Sequence, residues 1–375
     1  MNYAASPSQF RFPLVRSALP EPEEWLPFLQ ESYEHNRFSN FGPVATRLEA
    51  ALAAEFAGPD EAFVLTASAT AGLAACLIAR NVRGRVLLPA FTFPASFAAI
   101  RMAGAEPWLV DIDTTTWACD LRKLARALTT VKPRAVMLVA PFGVTQDFTQ
   151  HVALCAAAGA TVVVDNAAGL GGGPRQRRSL RGDGFEVFSL HATKPFGIGE
   201  GGAVLADVKS AQALRSSINF GLPQAGGTSP NWGINGKMPE VLAAIGLAVL
   251  RGFPDVVRVR RQQAARYVEL LERFDGIVFR RQLTEAPWQV FPCLLPSGTV
   301  TEAFLAETAR MGLEVRRYYR PSLADWGGLE CADDCSVAHD LAERMVTLPI
   351  YPRTDDDEIA EMHGIVAACL AKVLI

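Results

Sequence analysis

The sequence predicts an α/β protein: a large domain on a mostly parallel central sheet flanked by helices, then a smaller α+β domain. Three observations predict it. Five short apolar runs, at 62–66, 85–89, 107–112, 135–139 and 161–165, alternate with segments of helical pattern. These runs are continuously apolar rather than alternating, the mark of strands buried on both faces of a parallel sheet. After residue 205 the pattern changes: helices dominate, and from about residue 275 short strands and helices alternate in smaller units. We therefore expect residues 1–250 to form the large domain, with an N-terminal arm, and residues 251–375 the smaller one with a linking helix.

In chain order, residues 1–45 read as an irregular arm rich in proline and aromatics. A helix over ATRLEAALAAEFAG follows, stopped by Gly58 and Pro59. The strand AFVLT leads to the helix ATAGLAACLIAR, RVLLP to PASFAAIRMAG, PWLVDI to CDLRKLARAL, and AVMLV to DFTQHVALCAAAG, before the strand TVVVD. The stretch 188–205, FSLHATKPFGIGEGGAVL, reads as two short strands around a glycine-rich turn that carries one lysine. Then come the helices KSAQALRSSINF, MPEVLAAIGLAVLRG and, separately, DVVRVRRQQAARYVELLERF, whose arginines read as a solvated face. GIVFR, WQVFPCLLP, TEAFLAETARMG, LEVRRYY and MVTLPIY make the smaller unit. A last helix follows, whose Asp-rich start suits a helix N-terminus.

Composition excludes several classes. The net charge of −3 offers no global field for nucleic acid or an anionic membrane. Seven scattered cysteines make no disulfide framework, and Cys331 and Cys335 have only His339 nearby, so no metal site is expected. His35, His151 and His363 are likewise isolated. No run reaches the ~18 apolar residues of a membrane span. The N-terminus lacks a signal-like apolar core, so a cytoplasmic protein is expected.

Ligands in open α/β sheets sit at the carboxyl ends of strands. Four such ends carry chemistry here. TASATAG places small residues at a helix start, where the main-chain N–H groups of Ala69 and Thr70 can meet a phosphate. Phe93, after the second strand, can lie on a flat ring. Asp165 ends a very apolar strand, and a buried carboxylate needs a cation there. Lys194 lies on the glycine-rich turn, with Ser189 five residues before it. A lysine whose amine is desolvated becomes fit for Schiff-base chemistry. A phosphate cradle, a stacking ring, an acid for a protonated ring nitrogen and a reactive lysine are together what pyridoxal 5′-phosphate (PLP) requires. From the sheet pattern alone a nucleotide-binding Rossmann protein is the competitor, but no G-x-G-x-x-G follows the first strand.

From Asn40 to the last helix the chain resembles the DegT/DnrJ/StrS group of sugar aminotransferases, which share the fold-type I PLP-transferase fold. The likeness rests on SATAG, the TF of AFTFPAS, VDID (110–113), FSLHATK, GEGG (199–202), GINGKM-PE-LAAIG and LPIYP, in that order. It implies Lys194 as the Schiff-base lysine, Asp165 as the pyridinium partner, Ala69, Thr70 and Ser189 as phosphate donors, and Phe93 as the stacking residue. It implies that Asn235 reaches the phosphate of a neighbouring subunit's cofactor, in a homodimer with shared active sites. It implies transfer of an amino group, with glutamate as donor, to a keto group of a nucleotide-linked sugar. A keto-cyclitol substrate, a PLP lyase and a non-catalytic relative are the alternatives. Retention of Lys194 favours transamination over sugar dehydration. His191 belongs to the motif and is expected to orient rather than transfer protons.

The chain departs from the group's pattern in three places. A rigid count back from Lys194 puts Asn166, not Asp165, opposite the pyridine. One extra residue in GGGPRQRRSLRG restores Asp165, which is preferred because a neutral amide cannot hold a pyridinium charge. Ala168 or Gly169 replaces the usual Gln or His. The usual HY-x-P reads Tyr318-Tyr319-Arg320-Pro321. A substrate diphosphate is expected to meet Arg316, Arg317 and Arg320 beside Tyr319.

Overall fold

The computed structural model describes residues 10–172, 184–223 and 232–374. Much of the loop GGGPRQRRSLRG, on which the count to Asp165 turns, lies outside them. The chain order is α1 (Pro22–Glu34), α2 (Pro43–Phe56), β1 (Glu61–Thr66), α3 (Ala69–Ala79), β2 (Gly84–Pro89), α4 (Pro94–Met102) and β3 (Ala105–Val110). It continues through α5 (Leu121–Val131), β4 (Ala135–Val139), α6 (Thr149–Ala157), β5 (Thr161–Asp165), β6 (Phe185–Ser189), β7 (Gly202–Asp207) and α7 (Val208–Ser217). Then follow α8 (Glu240–Leu271), β8 (Val278–Phe279), β9 (Val290–Leu294), α9 (Gly298–Arg310), β10 (Arg316–Arg317), β11 (Glu330–Cys331), α10 (Ser336–Arg344), β12 (Met345–Pro349) and α11 (Asp356–Val373).

An eight-stranded sheet runs β1-β7-β6-β5-β4-β2-β3-β11. Neighbours from β6 to β11 pair in parallel; β7 lies antiparallel to both β1 and β6. The short turn from β6 to β7 forces that reversal, since a parallel return needs a long crossover. The register sets Gly202 of β7 between Thr66 of β1 and Ser189 of β6. A side chain on Gly202 would meet Thr66 Oγ1 at 2.4 Å and the Ala69 nitrogen at 2.7 Å, so the bare glycine lets β7 lie against the start of α3. A second, four-stranded antiparallel sheet runs β10-β12-β9-β8.

Two readings of individual elements are corrected here. The helices read separately as MPEVLAAIGLAVLRG and DVVRVRRQQAARYVELLERF are one continuous 32-residue helix, α8, that carries Pro254 in its interior. Pro254 removes one helical hydrogen bond, but Ala244, Leu247, Phe253, Val257, Tyr267 and Leu271 are buried on both sides of it and hold the helix on one course. The arm also contains α1, opened by Pro22 and a capping box between Glu21 and Glu24. Moreover, the C-terminal segment returns β11 to the large sheet beside β3. The two units are interleaved in the chain.

Candidate active site

The carboxyl ends of β1, β5 and β6 converge on one edge of the large sheet. Asp165, the last residue of β5, is 6% exposed. Its Oδ2 accepts a 2.6 Å bond from Ser96 Oγ, which in turn lies 2.9 Å from Thr92 Oγ1. Its Oδ1 accepts from the Ala167 N–H at 3.2 Å. Burial raises the Asp165 pKa; the Ser96 bond and the charge of Lys194 oppose that rise. Asn166 faces elsewhere: its Nδ2 donates to Glu186 Oε1 at 2.6 Å, and its buried Oδ1 has no partner among the described residues. It also packs on Gly169, where any side chain would overlap Asn166 Oδ1 at 1.9 Å.

Lys194 sits in the turn after β6. Desolvation lowers its pKa to about 8, and the carboxylate of Asp165 is the opposing influence. Its Nζ donates to Gln289 Oε1 at 3.0 Å. Gln289 stands just before β9 in the second sheet; in the sequence it falls within a predicted strand, and an amide amid the apolar run WQVF is the available signal. His191 holds the turn. The Thr193 N–H donates to its Nδ1 at 3.2 Å and its Nε2 lies 3.5 Å from Glu200. The Ser189 hydroxyl accepts from the His191 N–H at 3.3 Å.

Ala69 and Thr70 form the first turn of α3. Ser68 caps the helix by accepting from the Ala71 N–H, while the N–H groups of Ala69 and Thr70 have no partner among the described residues. Phe93 precedes α4 and is 38% exposed. Tyr319 stacks on Phe142 at 5.6 Å between centroids, touches Phe91 at 5.1 Å, and reaches Phe93 at 6.4 Å. Burial and the nearby Asp165 charge raise its phenol pKa. Asn235 is exposed, its Oδ1 accepting from Lys237 Nζ at 2.8 Å, and the carbonyl of the next residue, Gly236, accepts from the Ala67 N–H at 2.7 Å.

These groups fit pyridoxal phosphate. A buried carboxylate stands near the lysine amine, two helix-start N–H groups have no partner among the described residues, and burial lowers the amine's pKa to about 8. The predicted arginine cluster is ion-paired within the chain. Arg316 pairs with Glu314 at 2.5 Å, Arg317 with Glu302 and with Glu343 at 3.1 Å, and Arg320 with Glu343 at 2.8 Å. Each of the three is thus paired with a neighbouring glutamate. A cavity of about 800 Å³ shares a wall with Lys194 and carries Arg251, Arg260 and Arg353. Among the described residues no helix is long and apolar enough to cross a membrane.

The profile of the DegT/DnrJ/EryC1/StrS aminotransferase family matches residues 21–367. Protein Rv3402c of Mycobacterium tuberculosis is 30% identical over 367 residues, covering 94% of this chain and 88% of its own. The dTDP-4-amino-4,6-dideoxy-D-glucose transaminase of Shigella dysenteriae is 30% identical over 349 residues, covering 90% and 94%. Among solved structures, DesI in the presence of its TDP-sugar product superposes with a TM-score of 0.86 at 28% identity, covering 97% of this chain and 94% of the other. The chain belongs to the DegT/DnrJ/EryC1/StrS family and is a pyridoxal phosphate-dependent aminotransferase.

Proposed function

We propose that this enzyme aminates a keto carbon of a nucleotide-linked sugar, taking the amino group from glutamate. The observation that carries the reading is Lys194: a largely desolvated amine with a pKa near 8, beside a buried acid at the strand ends. The substrate class is supported by the transaminase of Shigella dysenteriae and by DesI, the one named for and the other solved with a dTDP- or TDP-sugar.

In this reading Lys194 carries the cofactor, Ala69, Thr70 and Ser189 hold its phosphate, Asp165 faces its ring nitrogen, and Phe93 and Tyr319 bound its ring. The bound cofactor supplies an electron sink for the carbon that loses its proton. Lys194, once free, moves that proton, because an amine with a pKa near 8 both accepts and returns it near neutral pH. Ser96, anchored by Thr92, fixes the carboxylate plane of Asp165. The active unit is a homodimer in which Asn235 serves the neighbour's phosphate; exposed Phe220, beside the Asn219–Asn235 bridge, forms an apolar part of that face. The test is a half-reaction panel: the loaded enzyme with single amino acids, then the aminated enzyme with nucleotide-keto-sugars and keto-cyclitols. Turnover of a free keto-cyclitol but no nucleotide-sugar would overturn the substrate class.

A further inference from the structure

Arg260, in the middle of α8, is 3% exposed. Its Nη1 donates to three main-chain oxygens, of Trp288 at 3.0 Å, Gln289 at 3.2 Å and Ile350 at 3.1 Å. Its Nε is buried without a partner, and no carboxylate among the described residues pairs with the guanidinium. Burial lowers its pKa only to about 10, so it stays charged at neutral pH. A buried cation opposed only by carbonyl dipoles is costly, and an arriving anion offsets that cost. Arg215 and Arg317, by contrast, each reach a glutamate.

Arg260 lines the same cavity as Lys194. One residue joins them: the Gln289 carbonyl takes the Arg260 bond and the Gln289 side chain takes the Lys194 bond. We propose that Arg260 receives the carboxylate of the amino-acid donor, as an oxyanion subsite on the α8 wall of the Lys194 cavity. The inference rests on the reading above that the donor is an α-amino acid. In such a donor the carboxylate and the reacting nitrogen share one carbon, so the anion must sit beside the lysine amine. A sugar ring separates a nucleotide's diphosphate from the keto carbon and places that anion farther away. A guanidinium also matches a carboxylate through two parallel N–H bonds.

The experiment is calorimetric titration of the apo-protein with 2-oxoglutarate and, separately, with uridine diphosphate. Arg260→Met should weaken 2-oxoglutarate binding about tenfold or more, the range for hydrogen bonds to a charged group, and leave uridine diphosphate unchanged. Arg260→Lys, which keeps the charge but not the fork, should show a partial loss. A folded Arg260→Met variant that binds 2-oxoglutarate like the wild type leaves Arg260 as a main-chain stitch and overturns the proposal. So does loss of uridine diphosphate binding instead, or a wild type that binds no 2-oxoglutarate. Should Arg260→Met fail to fold, Arg260→Lys decides: unchanged 2-oxoglutarate binding overturns the site. If nucleotide-sugars fail as substrates while the carboxylate effect stands, the substrate reading falls and the subsite remains.

Discussion

Lys194 and Gln289 join the two sheets: the amine, in the turn after β6, donates to the amide oxygen just before β9 at 3.0 Å. The reactive nitrogen is thereby held by the second unit of the fold as well as the first. The acceptor is neutral, so it orients the amine without adding charge. Gln289→Glu should place a second anion beside Lys194 and raise its pKa above the present value of about 8. The check is the pH dependence of Lys194 acylation in the apo-protein, read by peptide mass. The midpoint should move up, and the fraction of reactive free amine at pH 7.5 should fall. An unmoved midpoint would show that the bond has no electrostatic weight.

Asp165→Asn acts in the opposite direction on the same observable. The carboxylate raises the Lys194 pKa, so its loss should lower the labelling midpoint below the wild-type value. In the loaded enzyme the same change should cost orders of magnitude in turnover, since an amide cannot hold a protonated ring nitrogen. Asn166→Ala should do far less, because Asn166 turns toward Glu186. A larger effect at Asn166 would reverse the assignment.

The helix–strand alternation up to Asp165 was legible because each run is buried by its own residues. The site was legible where one chain segment supplies both the group and its setting, as at Lys194 and at Ala69 and Thr70. It was not legible where the partner comes from afar. Gln289 lies 95 positions from Lys194. In the Arg316–Arg320 stretch the sequence shows the cations but not their partners Glu302 and Glu343, which come from α9 and α10. Helix α10 starts irregularly: its cap residue Cys335 has a left-handed φ of 48° and no side-chain cap bond, and the local acceptors are Asp333 for the Cys335 N–H and Asp334 for the Ser336 N–H.

Arg317 is accordingly expected to matter for stability rather than for substrate. Its side chain is 6% exposed between Glu302 and Glu343. Arg317→Ala should destabilise by roughly 1–3 kcal/mol, between the values for exposed and buried pairs. Arg316→Ala, at a more exposed pair, should stay within about 1 kcal/mol. Thermal unfolding and the KM for the nucleotide-sugar separate the two roles. A large rise in KM with an unchanged midpoint would restore the diphosphate reading.

Shared sites predict complementation. Lys194→Ala subunits lack the reactive amine, and Asn235→Ala subunits lack the group offered to a neighbour. Each homodimer should be inactive or nearly so. Mixed dimers should regain activity, because one of their two sites then receives both residues intact. Mixed dimers shown by mass to form, yet inactive, would argue against sharing.

Asp111 shows how the returning C-terminal segment is fastened. It lies in the VDID motif just after β3 and is fully buried. Its carboxylate accepts from the Val337 N–H at 3.0 Å and the Ala338 N–H at 2.8 Å, the first turn of α10. It also takes the Lys123 ammonium at 2.6 Å. One side chain thus accepts from two first-turn N–H groups of α10, beyond those that Asp333 and Asp334 meet locally, and sets a negative charge at its positive end. Asp333 and Asp334 stand close by, and the same Lys123 reaches both, at 3.9 and 3.3 Å. Asp111→Ala would orphan two N–H groups and leave Lys123 facing only the outer acids. We expect a loss of ~3 kcal/mol or more, as for removing one partner of a buried, hydrogen-bonded pair. Asp111→Asn keeps an acceptor for one N–H and should lose less. The Lys194 labelling midpoint should be unchanged in Asp111→Asn, because the clamp holds the fold and does not face the amine. Denaturant unfolding of both variants, beside that midpoint, is the measurement. Equal stability of Asp111→Ala and the wild type would mean that the β11 pairing with β3 alone suffices to seat this segment.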